Sequence, residues 1–233
     1  MSVPSDGTPP KHIAIIMDGN RRWAQAHGLQ PWRGHAKGQE VLRRIARSAF
    51  EQGISYLSVY AFSTENWQRN EREVSYLMRH VGLAIRKYLH EFSEAGVKVV
   101  FLGTRTGLAP SVLKAIDQAE AKTAHNVAAT LGVCFNYGSL QELVDATSAI
   151  IANGAPKEPV TTEMLMKHLY VPEIPPVDLL IRSGGERRLS NFMLARAAYA
   201  ELYFTDILWP DFGEDDLKAA LSEYASRQRR FGN

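Results

Sequence analysis

The fold is decided by a stretch near the start of the chain, which reads HIAIIM at residues 12–17 and DGNRRW at residues 18–23. The apolar run predicts a buried strand because it is short, uninterrupted and rich in isoleucine. The glycine and the two arginines that follow it lead into a helical pattern around residues 20–27. A buried strand that runs straight into a helix is the beginning of a βαβ unit.

The same alternation of short apolar runs and longer helical patterns continues along the chain. It predicts further strands at 56–62, 97–102, 128–135, 177–181 and 202–204, and further helices at 35–52, 71–95, 110–124, 140–152, 161–169 and 215–230. We therefore predict an α/β fold: a disordered tail at residues 1–11, then a single domain at residues 12–233 with a mostly parallel sheet surrounded by helices. Such sheets bind ligands at the carboxyl ends of their strands.

Composition limits the class of protein. The chain is 45% hydrophobic and 22% charged with a net charge of +2, which is ordinary for a globular protein and argues against nucleic-acid binding. No apolar run approaches the ~20 residues of a membrane span, and residues 1–11 lack the apolar segment of a signal peptide. The single cysteine, Cys134, precludes an internal disulfide, so we expect a cytoplasmic protein.

The loop at residues 18–23 has the chemistry of a phosphate site. Gly19 allows the backbone to approach a ligand, the helix start offers N–H groups to an anion, and Arg22 can clamp a phosphate. Asp18 would repel a bare diphosphate, which favours a Mg²⁺ ion between its carboxylate and the phosphates. The alternative is an aspartate that caps a tight turn.

A second polar loop follows the strand at 56–62. It places Ser63, Glu65, Asn66, Trp67 and Arg69 just beyond the carboxyl end of that strand. A helix start capped by the serine explains only part of this set.

A third loop, residues 182–191, holds two glycines, three arginines and two serines. This composition predicts an anion-binding loop and therefore a second phosphate site. Glu201 follows shortly afterwards, as a salt-bridge partner for the arginines or as a second Mg²⁺ ligand.

Several strings, in this order and spacing, resemble the signatures of the cis-prenyltransferase family, whose type member is undecaprenyl diphosphate synthase. They span about residues 11–232 and comprise residues 12–24, Gly34-His35, 60–67, Asn136-Tyr137-Gly138, 177–186, 190–192, 201–212 and 229–232. The resemblance implies a homodimer. It also implies a six-stranded parallel sheet and a hydrophobic tunnel between the sheet and two helices, of which 71–95 is one.

The resemblance also assigns roles to the loop residues. It implies that Asp18 anchors Mg²⁺, with Glu201 as a further metal ligand or dimer contact, and that Asp18 and Asn66 act in catalysis. It implies that the end at Arg230 reaches the partner subunit. The implied substrate contacts are Gly19, Asn20, Arg21, Arg22, Trp23, His35, Ser63, Glu65, Trp67, Arg69, Arg182, Arg188 and Ser190.

The implied reaction joins isopentenyl diphosphate to an allylic diphosphate, with farnesyl diphosphate as the expected primer. The expected product is undecaprenyl diphosphate for the cell-wall lipid carrier, with at most peripheral membrane contact. A shorter or branched product and a non-catalytic subunit remain alternatives, although Asp18 argues against the last. A trans-prenyltransferase is disfavoured because Asp215-Asp216 lacks the spacing of the aspartate motif of those enzymes.

Some positions depart from the family pattern. Arg21 stands where many members have glycine, and Arg187 where some have histidine. Pro31 replaces a common arginine, for which Arg33 is a candidate substitute. Together with Ser139-Leu140 and Ala195, these changes leave the expected reaction in place and the product length open.

Overall fold

The structure is a computed structural model that describes residues 9–68, 70–154 and 158–227, without the side chains of Arg72, Arg79 and His80. Its strands are β1 (His12–Ile16), β2 (Tyr56–Ser63), β3 (Val97–Leu102), β4 (Ala129–Tyr137), β5 (Leu179–Arg182) and β6 (Glu201–Phe204). Its helices are α1 (Asn20–Ala26), α2 (Pro31–Glu51), α3 (Glu71–Glu94), α4 (Pro110–Thr123), α5 (Ser139–Ala152), α6 (Thr162–Lys167) and α7 (Glu214–Ser226). Two 3₁₀ helices, Thr64–Gln68 and Trp209–Asp211, complete the set.

The strands form one parallel sheet in the order β3-β4-β2-β1-β5-β6. This confirms the predicted α/β architecture. β1 lies near the middle, with β2 on one side and β5 on the other, so the direction of winding reverses beside it. In the register of β1 and β5, Ile16 lies opposite Arg182. The loops that follow these strands, which begin with Asp18 and Ser183, therefore emerge next to each other.

Alternating residues of β1 build the core on both faces of the sheet. Ile13 and Ile15 pack in a cluster with residues of α2 and α7, whereas Ala14 and Ile16 pack in a second cluster on the other face. All five residues of the strand are buried. A continuous apolar run is what a strand covered on both faces requires.

Most predicted elements lie within a few residues of the observed ones, and the differences have local causes. α2 begins at Pro31 rather than residue 35, because a proline is favoured in the first turn, where its missing N–H costs nothing. β4 continues beyond residue 135, because Tyr137 still pairs with Ser63 of β2. Thr161 caps α6 by accepting a hydrogen bond from the Met164 N–H.

Pro10 and Lys11, which lie before the predicted domain boundary at residue 12, contact the domain. Pro10 is buried. The Lys11 N–H donates to the Asp178 carboxylate at 2.9 Å, and the Lys11 carbonyl accepts from Ser55 and Tyr56. Lys11 is thus held at the amino ends of the central strands β1, β2 and β5.

Within the described part of the chain, no helix combines the length and the apolar character that a bilayer crossing demands.

Candidate active site

A cavity of about 1020 Å³ lies between the sheet and helices α2 and α3. Its end at the carboxyl edge of the sheet is polar, and the rest is apolar. The polar end is lined by His35 of α2 and by residues of the three loops that the sequence singled out, namely Asp18, Gly19, Asn20, Arg21, Arg22, Ser63, Glu65, Asn66, Arg182, Arg188 and Ser190. The three loops, which are distant in sequence, therefore form one site.

The carboxylate of Asp18 is held by two arginines at the polar end. Its Oδ2 accepts from Arg182 Nη2 at 3.0 Å, and its Oδ1 lies 3.3 Å from Arg22 Nη2. Oδ1 also accepts from the N–H of Gly19 at 2.6 Å. Gly19, with φ at 107°, is the residue that precedes α1, and no side chain caps that helix. Asp18 therefore does not cap α1, although its carboxylate accepts the Gly19 N–H within the turn.

Arg182 is the most deeply placed charge of the site. Its side chain is 4% exposed. Besides Asp18, it donates to the Ser190 hydroxyl at 2.9 Å and to the Arg188 carbonyl. These bonds fold the loop after β5 back onto the strand, which leaves the Arg188 side chain exposed over the cavity.

Glycine is required where the first and third loops touch. Gly184 has φ at 87°, and a Cβ there would stand 2.7 Å from Arg22 Nη2 and 3.0 Å from the Asp18 carbonyl oxygen. No side chain fits that gap without displacing Arg22 or the backbone. The missing side chain thus lets the two arginine-bearing loops converge on the same space.

The second loop presents Ser63 and Asn66 to the cavity. The Asn66 Oδ1 accepts from the Ser63 N–H at 3.2 Å, and the Glu65 carboxylate accepts from Asn191 Nδ2 at 2.9 Å. Partial burial raises the pKa of Glu65, but hydrogen bonds from Asn191 and neighbouring groups outweigh it and keep the pKa below its ordinary value. Glu65 is therefore an anion at neutral pH.

Helix α3 is joined to the polar end through Glu73. Its carboxylate lies 3.4 Å from Arg21 Nη1 and 4.0 Å from His35 Nε2. Two of the predicted substrate contacts therefore have a carboxylate as their neighbour. A diphosphate that bound Arg21 or His35 would compete with Glu73.

Two predicted substrate contacts are not among the described residues that line the cavity. Trp23 donates its indole N–H to Asp211 at 2.7 Å and stacks on His27. Trp67 donates its indole N–H to Asn136 at 2.7 Å and packs its edge against Phe62. Each indole N–H is thus bonded to an acceptor of the protein itself, and contact of these two residues with substrate stays a prediction.

Glu201 is not brought to Asp18 within one chain. It begins β6 opposite Leu179, whereas Phe204 is the residue opposite Arg182. Three residues of strand separate those levels, about 10 Å at ~3.3 Å per residue. The carboxylate pairs instead with Arg227 at 2.8 Å. The predicted metal role is thus unsupported by one chain. Arg69 and Arg230 lie outside the described residues.

The described residues suit a Mg²⁺ ion that binds together with a diphosphate. They suit less well an ion that is held by protein side chains alone. They contain no group of three or more histidine, cysteine, aspartate or glutamate side chains placed to bind a metal. Asp18 is one partly exposed carboxylate at the polar end. Mg²⁺ is commonly held by one or two carboxylates together with substrate phosphates and water. Asp18 matches that donor set.

The apolar part of the cavity extends along α3. From Leu77 to Phe92 the helix covers about 22 Å at ~1.5 Å per residue. The tunnel predicted between the sheet and two helices corresponds to this space, with α2 as the second helix. Its lining consists of Leu42, Leu77, Val81, Ala84, Ile85, Leu89, Phe92, Val99, Phe101, Ala119, Leu131 and Val133.

Sequence reasoning missed two residues at the polar end. Asn191 lines the cavity and bonds both Glu65 and the N–H of Leu140. Tyr60 also lines it and donates to backbone carbonyls of Tyr137 and Ser190. Both residues lie in the signature strings given above. Their hydrogen-bond partners are remote in sequence, so the sequence alone did not indicate that their side chains belong to the site.

Comparisons with known proteins agree on one family. The family model described as putative undecaprenyl diphosphate synthase matches residues 16–232. An isoprenyl transferase of Neisseria gonorrhoeae is 44% identical over 96% of this chain and 89% of its own length. A decaprenyl diphosphate synthase of Mycobacterium leprae is 45% identical over 96% of this chain and 77% of its own length.

Solved structures show the same fold. Lavandulyl diphosphate synthase from Lavandula x intermedia, in complex with dimethylallyl diphosphate, superposes with a TM-score of 0.92 at 33% identity and covers 97% of this chain and 99% of its own. A probable undecaprenyl diphosphate synthase from Campylobacter jejuni superposes with a TM-score of 0.83 at 30% identity, covering 97% and 100%.

Proposed function

The chain belongs to the undecaprenyl diphosphate synthase family of prenyltransferases, and from this premise we propose that it extends farnesyl diphosphate with isopentenyl diphosphate units to a long polyprenyl diphosphate. The observation that carries the proposal is the single cavity that joins an arginine-rich polar end to a long apolar space. A diphosphate with a growing hydrocarbon tail has this same division between charge and apolar surface.

The first loop is suited to the allylic diphosphate. The start of α1 offers backbone N–H groups, and Arg22 offers a guanidinium next to them. As the bond between the allylic C1 and its oxygen breaks, negative charge develops on the leaving diphosphate. These groups stabilise that charge without having to reorganise.

The third loop is suited to isopentenyl diphosphate. Arg188 is exposed over the cavity, and Ser190 lines the same end beside the buried Arg182. With both diphosphates held, the isopentenyl C4 forms a bond to the allylic C1 as the C1–oxygen bond breaks, which leaves positive charge at the isopentenyl C3. Loss of a proton from C2 then forms the new C2–C3 double bond. Fixing the two reactants in this orientation removes much of the entropic cost of the step. Ser63 and Asn66 line the same cavity.

Mg²⁺ is part of the proposal, with Asp18 as its protein ligand. A bound ion would neutralise charge on the departing diphosphate. Asp18 would then exchange part of its pairing with Arg22 and Arg182 for the metal, leaving those guanidinium groups to face phosphate oxygens.

The apolar part of the cavity supports a long product with cis double bonds, ending near the undecaprenyl length for a cell-wall lipid carrier. Each added CH₂-sized group that enters the apolar space gains ~0.8 kcal/mol of burial. The similarity to lavandulyl diphosphate synthase makes a short or branched product the second candidate. The length of the apolar lining, from Leu77 to Phe92, favours the long product over it.

A homodimer is also part of the proposal. Along α5, Leu140, Val144 and Ile151 are 60%, 57% and 64% exposed, at spacings that place them on one face of the helix. An apolar face of this kind is typical of a surface that is covered by a partner. We assign the partner as a second copy of this chain.

We further propose that the protein acts in the cytoplasm, with at most peripheral membrane contact.

A product assay tests the function directly. Purified protein is incubated with farnesyl diphosphate, labelled isopentenyl diphosphate and Mg²⁺, with a chelated sample as control, and the products are sized by chromatography. The proposal predicts a magnesium-dependent ladder that ends near the undecaprenyl length. A single short product supports the second candidate, and the absence of incorporation contradicts both.

A further inference from the structure

The 3₁₀ helix Thr64–Gln68, together with Ser63, has two faces with different surroundings. With about three residues per turn, Ser63 and Asn66 share one face, and Thr64 and Trp67 share the next. Ser63 and Asn66 line the cavity. Thr64 and Trp67 face the end of β4: a Cβ at Gly138 would lie 2.6 Å from Thr64 Oγ1, and Trp67 bonds Asn136. One face carries the site residues and the other fastens the segment.

Asn136 accepts the hydrogen bond from Trp67 and is itself held in place by further hydrogen bonds. Asn136 is 2% exposed. Its side chain makes three hydrogen bonds, each with an ordinary donor–acceptor distance. Oδ1 accepts from Trp67 Nε1 at 2.7 Å, while Nδ2 donates to the carbonyls of Thr104 and Thr106 at 2.9 and 3.0 Å. The two carbonyls require the amide nitrogen on their side, so the oxygen must face Trp67. The amide is thereby fixed in one orientation.

The backbone of Asn136 contributes to the same arrangement. Its φ of 51° lies in the left-handed region, which asparagine tolerates better than most residues. Its carbonyl accepts from the Thr104 N–H at 3.2 Å. Gly103 makes this approach possible, because a Cβ there would stand 2.0 Å from the Phe135 carbonyl oxygen.

We propose that Asn136 is a positioning residue for the prenyl transfer, acting through Trp67 to keep Ser63 and Asn66 turned toward the cavity. Phe62, at 1% exposure, supports the Trp67 ring from the side at a centroid distance of 5.5 Å. The inference rests on the proposed function, because it takes Ser63 and Asn66 to face the reacting groups. Asn136 itself is not among the described residues that line the cavity.

The proposal separates turnover from binding. Of the three polar loops, Asn136 bonds the second, whereas Arg22, Arg182 and Arg188 lie on the other two. Loss of the bond between Trp67 and Asn136 should therefore lower kcat and leave KM for both diphosphates within about twofold. A single hydrogen bond of ordinary net strength corresponds to a decrease of up to about tenfold.

Two matched pairs of variants test this. Trp67→Phe keeps an aromatic ring beside Phe62 and removes the N–H donor together with the pyrrole part of the indole. Trp32→Phe makes the same change at an exposed tryptophan that is not among the described residues lining the cavity. Asn136→Gly tolerates the left-handed backbone and removes the amide. Asn126→Gly removes another amide that bridges two backbone carbonyls, those of Ser93 and Val97, away from the cavity.

We expect kcat to fall about tenfold in Trp67→Phe and in Asn136→Gly, and to stay within about twofold of wild type in the two controls. The double variant Trp67→Phe/Asn136→Gly should be no slower than Asn136→Gly, because Asn136→Gly has already removed the acceptor of the Trp67 N–H. Multiplied effects in the double variant, or a Trp67→Phe protein as fast as Trp32→Phe, overturn the proposal.

A second readout does not depend on turnover. The indole N–H signals are assigned in ¹⁵N-labelled protein from the tryptophan variants. In Asn136→Gly the Trp67 signal should shift and lose protection from exchange with solvent, while those of Trp23 and Trp209 stay in place. An unmoved Trp67 signal overturns the proposal. If the wild-type protein elongates nothing, the proposed function fails, and this signal still decides whether Asn136 holds Trp67.

Discussion

Arg182 and Asp18 form an ion pair of 3.0 Å in which the arginine side chain is 4% exposed and the aspartate 31% exposed. The guanidinium is buried at the end of β5, and the carboxylate that it holds lines the cavity. Removing the carboxylate would leave Arg182 a buried cation with one partner fewer, which is costly. Asparagine at this position keeps an oxygen for Arg182 and removes the negative charge.

We therefore expect Asp18→Asn to fold and to lose turnover by about 100-fold or more, the scale seen when one charge-stabilising group of a site is removed. The measurement is kcat over a Mg²⁺ titration. Asp211→Asn is the matched control, because Asp211 accepts a bond from Trp23 outside the cavity. An Asp18→Asn enzyme with wild-type turnover and unchanged Mg²⁺ dependence would contradict the metal role.

Arg188 and Arg187 offer a second matched pair. Both are exposed and adjacent, but only Arg188 is among the residues that line the cavity. Arg188→Ala should raise KM for isopentenyl diphosphate by about 10-fold or more, since a hydrogen bond to a charged group contributes about 1.5–3 kcal/mol. Arg187→Ala removes the same charge and should leave KM within about twofold. Equal increases in KM in the two variants would indicate that the positive charge of the loop attracts the diphosphate without a direct contact from Arg188.

Ala119 lies in the apolar lining, where α4 meets the cavity, and it is fully buried. Ala119→Leu should shorten the final product, because the added side chain occupies space that the growing tail requires. The first condensation should proceed at the wild-type rate. Product sizes are read by chromatography, with the exposed Ala121→Leu on the same helix as control. An unchanged product distribution would refute the assignment of this wall to the tail.

Burial lowers the pKa of His12 to about 4, against the opposing effect of its hydrogen bond to the Pro175 carbonyl. Between pH 4 and 6.5 the unfolded chain binds a proton at His12 that the folded protein does not bind, so stability falls as pH falls. From pH 7 to pH 5 we expect a loss of about 2 kcal/mol at this site.

Urea unfolding at the two pH values measures that loss. In His12→Gln the loss should shrink to less than about 1 kcal/mol, whereas the exposed His125→Gln should retain it. Identical pH dependence in wild type and His12→Gln would show that His12 is not the responsible group.

The elements that the sequence predicted well have a simple physical origin. β3 was predicted at its observed bounds because an apolar run follows Gly96, which ends the preceding helix with φ at 68°. The convergence of the loops after β1, β2 and β5 followed from parallel strands, whose carboxyl ends share an edge. Periodicity and turn chemistry are local, so one sequence suffices to read them.

The sequence could not assign the contacts of side chains whose partners are remote in the chain. Trp67 was expected to contact substrate, and the structure bonds its indole N–H to Asn136 on another strand. Glu201 was expected to be a salt-bridge partner of the loop arginines, a metal ligand or a dimer contact, and the structure places it at the start of β6, paired with Arg227. Composition identifies a polar loop, whereas only the packed chain decides which of its side chains face inward.

The space along α3 has a thermodynamic consequence. It is interior volume that the polypeptide encloses with aliphatic side chains but does not fill, so the walls forgo the dispersion contacts of a close-packed protein. The elongating hydrocarbon supplies those missing contacts, one isoprene after another. Product therefore acts as a temporary interior, and the fold grows more resistant to unfolding with each condensation until the chain departs.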